Sequence, residues 1–449
     1  MKQTLQRSIG TLGGASIMIG VMIGSGIFRT PASIAQELSS PAIILLFWLG
    51  GGMLCLFGAL TYAELATMYP QSGGVYVFLY KGLGPCVAFV FGWSYVLITQ
   101  PLALSAISVV FAEHFNRLLR IEIDTRIPTC AVIVGLTAWN ATGIERGTHL
   151  AVILTSAEVL ALAAIVAAAL ILMKGDASHF VGGAAPKPLL AALAPVFAAI
   201  LWTYDGWSDA AAVAEEVSEP QKRLPRIFLL GTAGITALYV AVNAAYIWLV
   251  PLTEMRGTDT VAPLVMERLV GPAAATVVTI MILVSTLGAT HSSIIIGSRV
   301  TFAQARDGLL FRFLAHVHAK YRTPTITLWA QAALACLATW TLGRFEDLIS
   351  GFVFAIWIFY GLAAAAVIVL RIRQPAVPRP YHCWGYPIVP LLFIAAAATM
   401  TVLAIHDSPR TTVPALAILL AGIPAYYLWQ ALANPPADPP PPEQPHARY

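Results

Sequence analysis

The sequence predicts an all-α, polytopic membrane protein, and three observations carry that reading. Of its 449 residues, 58% are hydrophobic and only 11% are charged. The mean hydropathy of +0.77 is far above that of a soluble chain of this length. Apolar segments long enough to cross about 30 Å of hydrocarbon recur along the chain, with the few charges gathered between them. Two of these segments are interrupted by glycine and polar residues at mid-membrane depth, where an ordinary spanning helix stays apolar.

The length criterion gives about twelve transmembrane spans. The first, 9–38, is broken by MIGSGIFRTP at 22–31. Spans two to five, at 42–68, 86–111, 127–141 and 150–173, are apolar runs. The sixth, 190–213, is broken by WTYDGW at 202–207. The remaining six lie at 227–250, 273–302, 326–342, 348–370, 388–405 and 413–432. No separate soluble domain fits between them. The chain therefore reads as one transmembrane domain over 1–433, with a first repeat at 8–173, a second at 190–371 and two additional helices at 386–433. From Asn434 the PPADPPPPEQP run marks a Pro-rich, disordered or extended tail, 434–449.

With both termini in the cytoplasm, most of the 26 Lys and Arg fall on the inner side, as the positive-inside rule requires. The expected location is the inner, cytoplasmic membrane, with multiple passes. Basic cytoplasmic loops account for the net charge of +4, so no nucleic-acid partner is called for. The N-terminus runs straight into a long span without a small-residue cleavage site and reads as retained. Cys55, Cys86, Cys130, Cys336 and Cys383 have no metal-type spacing, and disulfides are not expected. No HExxH, nucleophile elbow, phosphate loop or clustered metal ligands occurs, so no catalytic residue, metal or enzymatic activity is assigned.

The interruptions have a physical use. An unpaired backbone group costs several kcal/mol in hydrocarbon, so an unwound stretch persists only where something inside the protein satisfies it. At the first break, Met22, Ile23, Gly24, Ser25, Gly26 and Ile27 open an outer half-helix. The amides of Ser25, Gly26 and Ile27 offer donors and a positive dipole end suited to a carboxylate, and glycine permits close approach to the backbone. At the second break, Trp202, Tyr204, Asp205 and Gly206 end a half-helix. The carbonyls near Trp202 and Asp205, with that of Met22, form a negative cup suited to an ammonium group. A carboxylate at one break and an ammonium at the other describe an amino acid. An interrupted helix at the start of each half is also the sequence signature of an inverted-repeat transporter.

These residues resemble the amino acid/polyamine/organocation superfamily, and within it the L-type (LAT-like) amino acid transporters. The likeness runs through IGSGIF, YAELATMYPQSGGVYVFLYKGLG (62–84), WTYDGW, EEVSEPQKRLPR (215–226), SRVTFAQARDGLLFRFLAHVHAKYRTP (298–324) and RPYHCWGYPIVP (379–390), in family order along essentially the whole chain. It implies a LeuT-type five-plus-five inverted repeat with two extra C-terminal helices, helices 1 and 6 discontinuous, working by alternating access without a cofactor. It places carboxylate contacts on Ser25 and Gly26, ammonium contacts on the carbonyls of Met22, Trp202 and Asp205, and the outer gate on Trp202. Trp207 is expected to pack.

Glu158 departs from the pattern, because many relatives carry a lysine there. An ionised carboxylate inside SAEVLALAAIVAAALILM (156–173) costs roughly 2.5–3.5 kcal/mol, so it must be protonated, paired or wet. Glu158 is therefore a candidate for coupling transport to protons or a cation, with helix-to-helix bonding as the alternative. Asp205 is a second coupling candidate, and its carboxylate would also attract a cationic substrate. Gln100, His291 and Ile356 are expected to line the pocket. Arg29 is expected at the outer vestibule or in an acidic pair, and Glu64, Glu215, Glu216 and Arg223 in ion pairs at the cytoplasmic end.

The expected function is a secondary active permease or exchanger for amino acids, neutral ones first. A cationic amino acid or polyamine antiporter is the alternative, and a non-transporting amino acid sensor follows. Eukaryotic L-type members are joined to a glycoprotein by a cysteine between spans three and four. The corresponding EHFNRLLRIEIDTR (113–126) has none, so no disulfide-linked heavy subunit is expected. Amino acid, protons or a cation, and membrane lipid are the partners.

Overall fold

A computed structural model describes residues 9–71, 73–142, 147–182, 187–212, 214–321 and 323–432. The expected Pro-rich tail lies outside these residues. Among them the chain is helical throughout, with a single isolated bridge between Ile9 and Val217. The helices are α1 (Thr11–Met22), α2 (Ser25–Glu37), α3 (Pro41–Met68), α4 (Val75–Leu83), α5 (Pro85–Ser94), α6 (Gln100–Leu119), α7 (Arg126–Ala141), α8 (Gly147–Leu172) and α9 (Leu189–Thr203). There follow α10 (Pro220–Leu249), α11 (Leu252–Met255), α12 (Val261–Val270), α13 (Pro272–Arg306), α14 (Thr325–Thr341), α15 (Phe345–Arg373), α16 (Ile388–Asp407) and α17 (Pro409–Leu432).

Seven of the described helices, with α5 and α6 joined, are long and apolar enough to cross a membrane, and α1 with α2 makes an eighth crossing bent by 41°. Shorter apolar helices lie at Ser156–Leu172 and Leu189–Thr203. Most boundaries fall within a few residues of the sequence expectation, because the apolar runs are bounded by charges and prolines. Proline opens α3, α5, α10 and α13 at their first turns, where its missing N–H costs nothing.

Two features depart from a simple row of spans. The third span is one long crossing whose middle, Tyr95–Thr99, widens into a π turn, a distortion common beside functional sites. The sixth is helical only as far as Thr203 and then continues as turns and two short 3-10 segments, Asp209–Ala211 and Ala214–Glu216. Around the broken crossings, α2 packs on α9, α1 on α8 and α10, and α13 on α6. Buried Trp48, Trp207, Trp357, Tyr62, Tyr204 and Tyr239 fill the interior near the second break. Trp207 packs against Tyr62, Tyr360 and Phe393, with ring centroids 4.8, 5.2 and 5.6 Å away.

Candidate functional site

The two breaks meet. At the first, Gly24 is extended (φ −132°, ψ −145°) between α1 and α2. The amides of Ser25, Gly26 and Ile27 donate to no acceptor among the described residues, as expected for the first turn of a helix without a cap. At the second, the Asp205 N–H donates to the Trp202 carbonyl (3.1 Å) and the Asp209 N–H to that of Gly206 (3.0 Å). The carbonyls of Thr203, Tyr204 and Asp205 accept no hydrogen bond among the described residues.

Glycine brings the breaks into contact. A Cβ on Gly26 would sit 2.7 Å from Thr203 Oγ1 and 2.8 Å from Thr203 Cα. Gly206 has φ +105°, which disfavours any side chain, and a Cβ there would meet Val21 Cγ1 at 2.8 Å and the Met22 amide nitrogen at 3.1 Å. Thr203 Oγ1 lies 2.8 Å from Thr30 Oγ1, which joins α9 to α2.

A cavity of about 110 Å³ opens beside the crossing point. Met22, Gly24, Ser25 and Gly26 line it from the first break, and Trp202, Asp205 and Asp209 from the second. Ala289, Ser292, Ser293 and Ile296 of α13 contribute one helical face, spaced i, i+3, i+4 and i+7. Tyr95 opens the π turn and Gln100 follows it, and Phe352, Ile356 and Tyr360 come from α15. No Lys, Arg or His is among the residues of this wall. The Gln100 amide donates to the Ser293 carbonyl (2.7 Å). The Ser208 hydroxyl donates to Tyr360 Oη (3.1 Å), and Tyr360 donates to Asp205 Oδ1 (2.8 Å). The Asp209 carboxylate has no hydrogen-bond or ion-pair partner among the described residues.

The sequence-derived residues divide accordingly. Met22, Gly24, Ser25, Gly26, Gln100, Trp202, Asp205 and Ile356 line the cavity. Ile23, Ile27, Tyr204 and Gly206 lie in the breaks but not on its wall, and the Tyr204 hydroxyl turns away to donate to the Trp48 carbonyl (3.0 Å). The Met22 carbonyl, expected to receive an ammonium, already accepts from the Tyr239 hydroxyl (2.7 Å) and the Gly24 amide (3.0 Å), so both of its lone pairs are taken. His291 is not on the wall. It sits on another face of α13, its Nδ1 3.1 Å from Asn140 Nδ2 on α7, while its neighbours Ser292 and Ser293 face the cavity. Glu158, half-buried on α8, also lies off the wall, beside Ser285 of α13.

Sequence reasoning missed Asp209, Tyr95 and Tyr360. For Asp209 a signal existed, since an acid inside a predicted span is itself a functional marker.

One end of the cavity is capped. The Trp202 ring meets Phe352 and Phe345 edge to face, with centroids 5.0 and 6.2 Å away. The Arg29 guanidinium lies 5.6 Å from the Phe345 ring centre. Only 8% exposed, Arg29 pairs with Glu113 (3.4 Å), Asp259 (3.4 Å) and Glu346 (3.2 Å), and Arg117 also holds Asp259 (2.8 Å). Elsewhere, fully buried Glu64 accepts from Arg371 (2.6 and 2.9 Å) and from the Cys383 amide (2.7 Å), with Arg379 at 3.5 Å. Burial there pushes the Cys383 thiol up to about 11. Arg223 pairs with Glu219 (3.4 Å).

The model of the amino acid permease family matches residues 9–424. The chain is 28% identical to the b(0,+)-type amino acid transporter 1 of Mus musculus, over 95% of this chain and 88% of the relative. It is 31% identical to the cystine/glutamate transporter of Homo sapiens, over 95% and 86% of the two chains. It is likewise 31% identical to the large neutral amino acids transporter small subunit 2 of Homo sapiens, over 95% and 81%.

Proposed function

The chain belongs to the amino acid permease family, and from that premise we propose that it is a secondary transporter which carries amino acids across the cytoplasmic membrane by alternating access. The observation that carries the proposal is that both breaks bring unsatisfied backbone groups to one cavity, which Ser25 and Gly26 line from the first and Asp205 from the second. Free amides of Ser25, Gly26 and Ile27 open α2, and open carbonyls of Thr203, Tyr204 and Asp205 follow α9. A carboxylate at the first and an ammonium at the second satisfy both sets, which water-free surroundings would otherwise leave costly. The relatives are named as amino acid transporters, which supports the same substrate class here.

The finer architecture we propose is twelve crossings, an inverted five-plus-five repeat over 8–173 and 190–371, and two further helices over 386–433. Both termini are on the cytoplasmic side, which makes the Arg29 end the outer one and Trp202 the outer gate. In this reading Glu158, beside Ser285 of α13, couples movement to a proton or cation away from the substrate wall.

The test is counterflow in proteoliposomes made with the purified chain. Vesicles loaded with unlabelled amino acids are expected to accumulate a labelled one transiently, and Gly26→Val is expected to abolish the accumulation. Saturable binding without counterflow would mark a sensor and overturn the proposal.

A further inference from the structure

We propose that Asp209 and Asp205 together form a dicarboxylate subsite that selects cationic amino acids, those with a second positive charge on the side chain. The inference rests on the reading of the cavity as an amino acid site and adds the class of amino acid. Its first ground is charge. Both carboxylates line the cavity, and no cationic side chain does. Neither forms an ion pair among the described residues. A zwitterion brings one charge of each sign, so it leaves two acids uncompensated in a weakly screening interior, whereas an added side-chain cation offsets one of them.

The second ground is how each acid is held. Asp205 is oriented by the Tyr360 hydroxyl (2.8 Å) and adjoins the open carbonyls that receive the α-ammonium. Asp209, four residues on, is returned to the same wall by the turn at Gly206 (φ +105°) and has no partner. An acceptor-only group left unpaired inside a protein calls for a donor from elsewhere.

A third observation comes from the part of the wall that the first break supplies. Ser25, 1% exposed, lines the cavity with its hydroxyl unpartnered among the described residues, beside the free amides of α2. That wall suits an anion. A carboxylate, an α-ammonium and a side-chain cation fill all three positions. A diamine leaves the Ser25 wall empty, so the arrangement favours a cationic amino acid over a polyamine.

Lysine and norleucine differ by the terminal ammonium alone, and cadaverine is lysine without its carboxylate. In proteoliposomes carrying the purified full chain, lysine is expected to displace labelled substrate at a concentration at least about tenfold below norleucine, the scale of one charge-assisted contact. Asp209→Asn is expected to move that ratio toward one, and Asp209→Glu to retain it. Equal competition by lysine and norleucine in the unmodified protein overturns the subsite, as does equal weakening of both by Asp209→Asn. The first of these results is also what two acids sharing one proton around a neutral substrate would give. Cadaverine competing as well as lysine overturns the role of the Ser25 wall. Norleucine exchange without lysine preference sinks the subsite and spares the amino acid reading. Failure of every amino acid to bind or exchange sinks both.

Discussion

Single residues decide how closely the two breaks approach. Gly26 and Gly206 stand where a methyl group would collide with backbone, 2.8 Å from Thr203 Cα and 3.1 Å from the Met22 nitrogen, and neither neighbour is a flexible tip that moves aside. Gly206→Ala adds strain at φ +105° and parts the breaks. It is expected to cut uptake by at least about tenfold, since site geometry tolerates little displacement, while the protein still elutes as a single species in detergent. Full uptake by this variant would mean that the contact is incidental. Glu158 poses a different question, because it stands off the cavity wall beside the Ser285 hydroxyl. As the coupling group proposed above, it would take up and release a proton as its surroundings alternate between wet and dry. Glu158→Gln is expected to keep exchange but remove its response to an imposed proton gradient. A response that persists assigns Glu158 to helix packing.

At the scale of elements, the Glu64 cluster binds α3 to the end of α15 and to the segment before α16. The carboxylate is fully buried and has three donors, so Glu64→Gln leaves Arg371 and Arg379 short of a counter-charge. Breaking a buried pair in this way costs about 3–5 kcal/mol. A clear fall in the thermal midpoint in detergent is the expected result, and an unchanged midpoint would mean that these elements are held by packing alone. The elements themselves were largely legible in the sequence, because hydrocarbon thickness and the exclusion of charge leave few alternatives. Glycine beside serine in mid-span also suits a small-residue packing face between helices, so the breaks were legible together, because a second interruption recurs one repeat after the first. Helical phase was not legible: His291 and Ser292 are adjacent in sequence, yet only the serine meets the cavity, and one helix alone does not fix which face turns inward. The path after Thr203 was not legible either. The apolar pattern runs on to residue 213 as if a helix continued, whereas the positive φ at Gly206 folds Asp209 back to the wall. The small helices α4, α11 and α12 left no span-length signal.

Across the whole molecule, the alternating access proposed above requires that closure at the Arg29 end be reversible. Arg29 on α2 reaches acids on α6, on the segment before α12 and at the start of α15, so a single buried guanidinium holds four parts of the chain together. Its contact with Phe345, which in turn meets Trp202, joins this closure to the wall of the cavity. The cluster has a built-in bias: Arg117 still holds Asp259 (2.8 Å) and Arg344 lies 4.0 Å from Glu346, but without Arg29 the acid Glu113 loses its ion pair, the three acids repel one another more strongly, and opening relieves this. Arg29→Met keeps much of the apolar stem and removes the charge, so it shifts the population toward the state open at that end. Spin labels at the ends of α2 and α15 are expected to report a longer distance in this variant without substrate. Raising the ionic strength should lengthen the distance in the unmodified protein in the same direction but by less, because salt screens exposed Asp259 more than buried Arg29. If the distance distribution of Arg29→Met coincides with that of the unmodified chain, the cluster is a fixed brace, and the closure must be sought in the aromatic contacts of Trp202 alone.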